Sequence, residues 1–315
     1  MTLHPQVIAL LQHFEKRNVP AVEQQNLQEA RALYVESSSS LNITEEIHHV
    51  EDRRIQGYEH EISIRIYSPN EKSSLPALVY FHGGGWVIGN IETHDSLCRI
   101  LANHAQCKVI SVDYGLAPEH KFPVPVEDAY LATKWVYDHA NDLGIDQTFI
   151  AVGGDSAGGN LAAVTCYLAV QRKDFNISHQ LLFYPSTGFE PTESYEKYGE
   201  GYYLTKSTMT WFRQQYLSSI SDTQSPLAAP MLIPEEDAAK LPPAYIVTAE
   251  YDPLCDGGEA YSKKLSQAGV QTTYVCYPGM IHGFMCMTLP LEDGRKAIYE
   301  AADYLENQYQ KQQVT

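Results

Sequence analysis

The sequence is poor in basic residues. Its 315 residues include 22 Lys and Arg against 39 Asp and Glu, which gives a formal net charge of −17. The basic residues are scattered, so no lysine or arginine block interrupts the acidic background. Because such a chain repels polyanions such as DNA, RNA or an anionic membrane surface on average, we expect no nucleic-acid partner.

Long hydrophobic runs are also lacking. The longest apolar stretches, such as Ala77 to Phe81 and Ala162 to Val170, fall short of the roughly 20 residues that span a bilayer. The apolar patch from Val7 to Leu11 has no basic segment before it and no small-residue cleavage site after it, unlike a secretory signal. We expect no membrane span and a cytoplasmic protein.

Paired cysteines are a third absence. The six cysteines include no C-x-x-C pair, which argues against a zinc ribbon and a thioredoxin-type dithiol. We expect free, mostly buried thiols, although a turn can bring Cys276 and Cys286 together. No metal and no cofactor are expected.

The pattern of apolar residues predicts an α/β protein. Residues 1–36 have apolar positions at helical spacing and predict two helices that end at the serine run 37–40, and residues 62–68 alternate as a strand does. Beyond Pro76, unbroken apolar runs alternate with amphipathic segments, which is typical of a mostly parallel sheet flanked by helices. The strand candidates are 77–81, 108–112, 149–152, 181–184, 244–248 and 272–277. The helix candidates are 94–104, 126–141, 158–171, 258–268 and 291–309.

The strongest motif is Gly154-Asp155-Ser156-Ala157-Gly158, a G-x-S-x-G between the strand candidate 149–152 and an alanine-rich helix candidate. This context favours a nucleophile elbow, a turn so sharp that small residues must flank the serine. The alternative is an ordinary glycine-rich turn, including one that binds phosphate. No lysine follows the loop and its spacing is not G-x-G-x-x-G, so a nucleotide site is disfavoured.

A second motif, His82-Gly83-Gly84-Gly85-Trp86, follows the strand candidate 77–81. Consecutive glycines can turn backbone N–H groups toward one empty point, as stabilisation of an oxyanion requires. The alternative is a flexible glycine turn. Beside the serine motif we favour an oxyanion hole, to which the residue after the nucleophile, Ala157, adds a donor.

A serine nucleophile also needs an acid and a base, and their order in this kind of site is serine, acid, histidine. Asp252 and His282 each follow a strand candidate, so both lie with Ser156 at the carboxyl edge of the sheet. Taken singly, Asp252 is equally compatible with a solvent-exposed turn aspartate, and His282 with a histidine packed in a loop. The competitors are Glu250 and Asp256 for the acid and His82, His94 and His120 for the base. Asp252 ranks first because a proline fixes a turn directly after it, and His282 because of chain order.

Together these motifs resemble the bacterial esterase branch of the hormone-sensitive lipase family. The resemblance covers the chain from about His82 to the C-terminus and rests on segments 82–86, 114–120, 122–130, 154–160, 252–254 and 282–284. It implies an α/β-hydrolase fold of about eight strands with a helical cap over the site. The implied triad is Ser156, Asp252 and His282, and the implied oxyanion donors are the backbone amides of Gly83, Gly84 and Ala157.

The implied activity is hydrolysis of short- to medium-chain carboxylic esters, small molecules, through an acyl-enzyme. The alternatives are a non-catalytic protein that binds a small ligand on the same fold, and a lipase, amidase or lactonase with the same triad. The candidate pocket residues are Trp86, Tyr184, Tyr202, Leu204 and Trp211, for which ordinary cap core is the alternative. The last strand candidate is a possible edge, so both a monomer and a homodimer are compatible with the sequence.

The expected organisation places cap segments around one catalytic domain. Residues 1–45 form an N-terminal helical cap segment, and residues 46–315 form the catalytic domain, with a cap insertion at about 186–233 because this aromatic run is too long for an ordinary connection.

Two departures from the family pattern affect the surroundings of the site. Gly115 stands where the family usually has arginine, and Cys255-Asp256-Gly257-Gly258 stands where it tends to have Arg-Asp-Glu-Gly. A buried arginine and its acidic partners are therefore missing. We expect an effect on local stability and on loop rigidity near Asp252, but not on the triad.

Overall fold

The computed structural model describes residues 2–314, in which eight strands form a single sheet. The strands are β1 (His49–Gln56), β2 (Glu61–Ser68), β3 (Leu75–Phe81), β4 (Lys108–Asp113), β5 (Ile145–Asp155), β6 (Gln180–Phe183), β7 (Ala244–Tyr251) and β8 (Thr272–Ile281). Their order across the sheet is β1-β2-β4-β3-β5-β6-β7-β8. Only β1 and β2 run antiparallel to their neighbours, and the pairs from β4 to β8 are parallel.

Ten α-helices accompany the sheet over residues 2–314. They are α1 (Pro5–Arg17), α2 (Leu27–Leu41), α3 (Ile91–Ala105), α4 (Val124–Asp138), α5 (Ala157–Arg172), α6 (Glu193–Tyr198), α7 (Lys206–Tyr216), α8 (Glu235–Ala238), α9 (Cys255–Gln267) and α10 (Glu292–Val314). The predicted eight-stranded, mostly parallel architecture flanked by helices is confirmed. Within the described part of the chain, no helix is long and apolar enough to cross a membrane.

The sheet separates two apolar cores. Helices α4, α5 and α9 cover one face, and α1, α3 and α10 cover the other. Every residue of β3 is buried, because helices cover both faces of the central strands, which explains its unbroken apolar run. The carboxyl ends of the parallel strands are therefore free to carry a site.

The N-terminal region differs from expectation in two places. The helix α2 does not end at the serine run: the hydroxyls of Ser38 and Ser39 donate to the carbonyls of Tyr34 and Val35 one turn back, at 2.8 and 3.2 Å, so the serines remain helical. Strand β1 was not predicted, because it is an edge strand with mostly exposed, charged side chains and no unbroken apolar run.

Candidate active site

The turn after β5 has the geometry of a nucleophile elbow. Ser156 lies between β5 and α5 with φ 55° and ψ −115°, a backbone conformation that side chains rarely adopt. A Cβ atom on Gly154 would lie 2.5 Å from the Phe81 carbonyl oxygen, and one on Gly158 only 1.9 Å from it. Neither Gly154 nor Gly158 has room for a side chain, in agreement with the expectation that small residues flank the serine.

Asp252 and His282 meet Ser156 across the carboxyl edge of the sheet. The His282 Nε2 atom lies 3.0 Å from Ser156 Oγ, and its Nδ1 atom lies 2.7 Å from Asp252 Oδ2. Asp252 is fully buried, and its other oxygen accepts a hydrogen bond from the Leu254 amide at 2.8 Å. The ring of Tyr184 packs edge-on against His282. The structure thus brings the three predicted residues into one hydrogen-bonded chain.

The competing acids have other partners. Glu250 accepts a hydrogen bond from the Gly279 amide at 2.8 Å, and Asp256 accepts one from the Ser194 amide at 2.7 Å. Both carboxylates therefore hold the backbone of neighbouring segments.

The competing bases are also engaged elsewhere. His82 stacks on Tyr114 with ring centroids 4.4 Å apart, and burial followed by repulsion from His94 lowers the pKa of His82 to about 3, so it is neutral. His120 stacks on His60. None of these rings takes the place of His282 beside the serine hydroxyl.

One predicted oxyanion donor is wrong. The Gly83 amide donates to Asp155 Oδ1 at 2.9 Å, so it points below the elbow and away from the cavity. Gly84 and Gly85 line the cavity instead, with φ of +118° and +61°. Over residues 2–314 their amides, and that of Ala157, have no hydrogen-bond partner. Among the described residues, Gly84, Gly85 and Ala157 therefore line the cavity with unpartnered amides, whereas the Gly83 amide is bound to Asp155.

Asp155, the residue before the serine, anchors this arrangement from below. It is buried, and its Oδ1 also accepts from the Tyr80 hydroxyl at 2.9 Å and lies 3.0 Å from His94 Nε2. Burial alone would lower the pKa of His94, but the Asp155 carboxylate raises it to about 10. The pair is thus an imidazolium and a carboxylate, and it connects α3, β3, β5 and the glycine loop.

The same location contains the one cluster of possible metal ligands in the described part of the chain. His94, Asp155 and Cys286 place their ligand atoms within 4.8 Å of one another. The Asp155 carboxylate is already surrounded by hydrogen-bond donors and by a cationic histidine, which repels a metal ion. This chemistry favours a hydrogen-bonded ion pair over a metal centre.

A cavity of about 1160 Å³ opens above Ser156. Its walls come from the two segments predicted to form a cap: α1 and α2 supply Phe14 and Tyr34, and the segment after β6 supplies Phe189 and Phe212. The glycine loop and α7 touch, because a Cβ atom on Gly85 would lie 2.2 Å from the Phe212 ring.

The predicted pocket residues divide into two groups. Trp86 and Leu204 line the cavity, and Trp86 stacks on Tyr216 with ring centroids 4.3 Å apart. The prediction was wrong for three residues. Tyr184 is buried behind His282, Tyr202 packs on Tyr198 and Tyr251, and Trp211 packs beside Phe212. Phe189, Tyr195, Tyr203 and Phe212, all within the predicted insertion at about 186–233, also line the cavity, although none was named as a pocket candidate.

Asp128 and His60 surround Gly115, the position where the resemblance implies an arginine. The buried Asp128 carboxylate accepts hydrogen bonds from the Tyr58 and Gly115 amides at 2.7 and 2.9 Å. The His60 ring lies against it, and a Cβ atom on Gly115 would come within 2.7 Å of that ring. A larger residue at 115 therefore requires His60 to move.

This fold and this chain of serine, histidine and aspartate define a hydrolase that attacks through a serine hydroxyl held at a strand-to-helix turn. The cavity above Ser156 and the unpartnered backbone amides fit that class. They suit a substrate whose electrophilic carbonyl group lies above Ser156.

Comparison with known proteins agrees with this class. A family model described as the alpha/beta hydrolase fold matches residues 78–286. The arylesterase of Saccharolobus solfataricus is 38% identical over 287 residues, which cover 90% of this chain and 93% of that protein. The ethyl acetate hydrolase of Pseudomonas putida is 35% identical, with 97% and 99% covered. The solved hyperthermophilic esterase of the archaeon Pyrobaculum calidifontis has a TM-score of 0.93 at 44% identity, covering 98% of this chain and 99% of that one.

The chain therefore belongs to the α/β-hydrolase fold family. The resemblance to its esterases is confirmed. Because an archaeal esterase is among the similar structures, the bacterial part of that resemblance stays a prediction.

Proposed function

We propose that this protein is a carboxylic ester hydrolase that cleaves short- to medium-chain acyl esters, with Ser156 as nucleophile, His282 as base and Asp252 as acid. The observation that carries the proposal is the hydrogen-bonded chain from Ser156 Oγ through His282 to Asp252, at 3.0 and 2.7 Å. The named esterases among its relatives support the same reaction.

In the first half of the reaction, Ser156 Oγ attacks the ester carbonyl carbon while its proton passes to His282 Nε2. Asp252 holds the opposite ring nitrogen and stabilises the imidazolium that forms. The proton then passes from His282 to the leaving alkoxide, so an alcohol departs and an acyl-serine remains. Water repeats the sequence, and releases the carboxylic acid.

The oxyanion of both tetrahedral intermediates is bound by backbone amides. We assign this role to Gly84, Gly85 and Ala157, because their amides are unpartnered among the described residues while that of Gly83 is bound to Asp155. Each such donor is typically worth about 2.7–4 kcal/mol of barrier.

We propose the domain organisation expected from the sequence, with residues 1–45 as an N-terminal helical cap segment over a catalytic domain of residues 46–315 and a cap insertion at about 186–233. Lining residues from both segments support it. The same cavity must hold the acyl and alcohol parts of an ester, because the scissile carbonyl lies at Ser156. This shared space supports the preference for short and medium acyl chains.

We also propose a cytoplasmic location and a monomer or homodimer. The six unpaired cysteines suit a reducing compartment, and the net charge of −17 opposes binding of nucleic acid. Pairing of the edge strand β8 with a second copy would give the dimer.

A panel of p-nitrophenyl esters with acyl chains of about 2 to 16 carbons tests the proposal, since a confined apolar site sets a length limit. We expect kcat/KM to be highest within about 2 to 8 carbons, with an initial burst of nitrophenol from the acyl-enzyme. Ser156→Ala should abolish turnover. Ser73→Ala should not, because Ser73 is exposed and lies before the amino end of β3, at the end of the sheet away from Ser156.

Retained activity in Ser156→Ala would refute the nucleophile. A rate that rises steadily to the longest chain would identify a lipase, and faster cleavage of the matched p-nitroanilide would identify an amidase.

A further inference from the structure

Two of the six cysteines lie side by side on the segments that carry the proposed acid and base. Cys255 is the first residue of α9, three residues after Asp252, and Cys276 lies in β8, six residues before His282. Their Sγ atoms are 3.9 Å apart, and both thiols are free.

The two thiols differ in access and in acidity. Cys276 is exposed on the edge strand, whereas Cys255 is partly buried behind it, 3.8 Å from the Thr248 hydroxyl. The hydrogen bond from Cys255 lowers the pKa of the Cys276 thiol below its ordinary value, and the same contact raises the pKa of Cys255. An exposed thiol with more thiolate character, backed by a second thiol, is the arrangement of a peroxide-sensitive pair.

We propose that Cys276 and Cys255 form a redox-active pair in which a peroxide oxidises Cys276 and Cys255 closes an intramolecular disulfide. The Cys276 thiolate attacks one peroxide oxygen, the O–O bond breaks, and hydrogen peroxide leaves hydroxide and a sulfenic acid on Cys276. The Cys255 sulfur then attacks the Cys276 sulfur, the S–O bond breaks, and water leaves. The two electrons lost by the thiols are those that the peroxide gains.

The disulfide acts on the acid of the triad. A disulfide needs a sulfur separation of about 2.05 Å, so the two atoms must approach by about 1.9 Å from their present 3.9 Å. The first turn of α9 shares this movement. The residue before that turn, Leu254, holds the Asp252 carboxylate through its amide, and the Cys255 amide donates to the Asp252 carbonyl at 3.0 Å. Oxidation therefore displaces Asp252 from His282 and lowers kcat, an effect that rests on the proposed function.

Peptide mapping tests the pair without any assay of activity. Reduced protein is treated with hydrogen peroxide, alkylated and digested with trypsin, which cleaves at Lys263 and Lys264 between the two cysteines. We expect a cross-linked peptide pair joining Cys255 to Cys276, a fall in titratable thiols from six to four, and reversal by dithiothreitol. In Cys255→Ser, the sulfenic acid on Cys276 should persist and be trapped by dimedone, and Cys276→Ser should form neither product.

Kinetics on the same samples test the effect on Asp252. We expect peroxide to lower kcat in the parent protein reversibly and to leave kcat of Cys276→Ser unchanged. Inhibition that persists in Cys276→Ser would assign the effect to another thiol, first of all to Cys286 in the cavity wall, and would overturn the link. A disulfide between two chains, or none at all, would overturn the pair. If no ester is hydrolysed, the proposed function fails while the mapped disulfide still stands.

Discussion

Replacing Asp155 by asparagine tests how the oxyanion loop is held. The carboxylate accepts hydrogen bonds from the Gly83 amide and the Tyr80 hydroxyl, both at 2.9 Å, and pairs with cationic His94 at 3.0 Å. Asparagine has the same shape, but its side chain is uncharged, and its N–H₂ group takes the place of Oδ2, which the Cys286 thiol faces at 3.9 Å. It also leaves the buried imidazolium without its counter-charge.

The expected loss of stability follows from that ion pair. Removal of one partner from a buried pair costs about 3–5 kcal/mol. His94 can limit this loss by releasing its proton once the carboxylate that raises its pKa has gone, so we expect about 3 kcal/mol at pH 7. The neutral amide oxygen also accepts more weakly from the Gly83 amide than the carboxylate does, and a misplacement of the neighbouring amides by about 1 Å can cost about 10²-fold in rate. We expect kcat to fall by that order and KM to change little.

Urea unfolding and steady-state kinetics with a short-chain p-nitrophenyl ester measure both effects. Asp138→Asn is the matched control, because Asp138 is exposed and pairs with Lys134 one turn away on α4, an interaction worth about 0.3–0.5 kcal/mol. An Asp155→Asn protein that unfolds within about 1 kcal/mol of the parent with unchanged kcat would refute the reasoning.

Three further changes probe the same site. Gly84→Ala places a Cβ atom 2.1 Å from the Ile88 carbonyl oxygen, so we expect kcat to fall by about 10²–10³. Gly144→Ala is the control for backbone strain, because Gly144 also has a positive φ but its Cβ atom would meet no atom closer than 3.3 Å. Equal activities of the two variants would contradict the oxyanion assignment. Burial lowers the pKa of His94 and its carboxylate partner raises it to about 10, against about 6.5 when unfolded. The contribution of His94 to stability is therefore complete below about pH 6.5 and is lost as the pH rises toward 10. The free energy of unfolding, measured in urea from pH 6 to 10, should fall more in the parent than in His94→Gln. Parallel plots of this free energy against pH would count against the ion pair. Asp252→Asn should keep its circular dichroism spectrum but lose about 10⁴ in kcat, because the imidazole tautomer is no longer held, and a loss below tenfold would exclude it as the acid.

The central strands were predictable because burial on both faces requires an unbroken run of apolar residues. Strand β3 has helices on both faces, so every side chain is buried and the run Leu75–Phe81 is wholly apolar apart from its tyrosine hydroxyl. Edge strand β1 lacks that environment, and its charged residues pair with β2 through backbone hydrogen bonds that any sequence can make. Serine residues 37–40 led to the wrong prediction of a helix end. The hydroxyls of Ser38 and Ser39 instead donate to carbonyls of the same helix, so the helix continues through the serines.

The site was predictable where chain order decides, and not where loop geometry decides. Ser156, Asp252 and His282 each follow a parallel strand, so topology brings them to one edge. The loop contains three consecutive glycines, and the sequence does not distinguish their roles. The contact with Asp155 turns the Gly83 amide inward, whereas Gly85 lines the cavity. That contact joins residues far apart in the chain, and no local pattern encodes it.

The cap aromatics were mispredicted for a related reason. Trp211 and Phe212 are neighbours in α7, yet only Phe212 lines the cavity and touches the glycine loop. Consecutive helical residues point about 100° apart, so the choice between them depends on how the helix is rotated over the sheet. Composition indicates an aromatic cap but not which ring faces the substrate.

The departure at position 255 leaves the geometry of the triad intact, and the reason is the kind of bond that holds Asp252. Its carboxylate is fixed by the Leu254 amide and by His282, and its carbonyl by the Cys255 amide. Two of these three contacts are backbone donors that do not depend on the side chain at 255. These backbone bonds remain whatever side chain stands at 255, so the acid stays in place while the position carries a thiol.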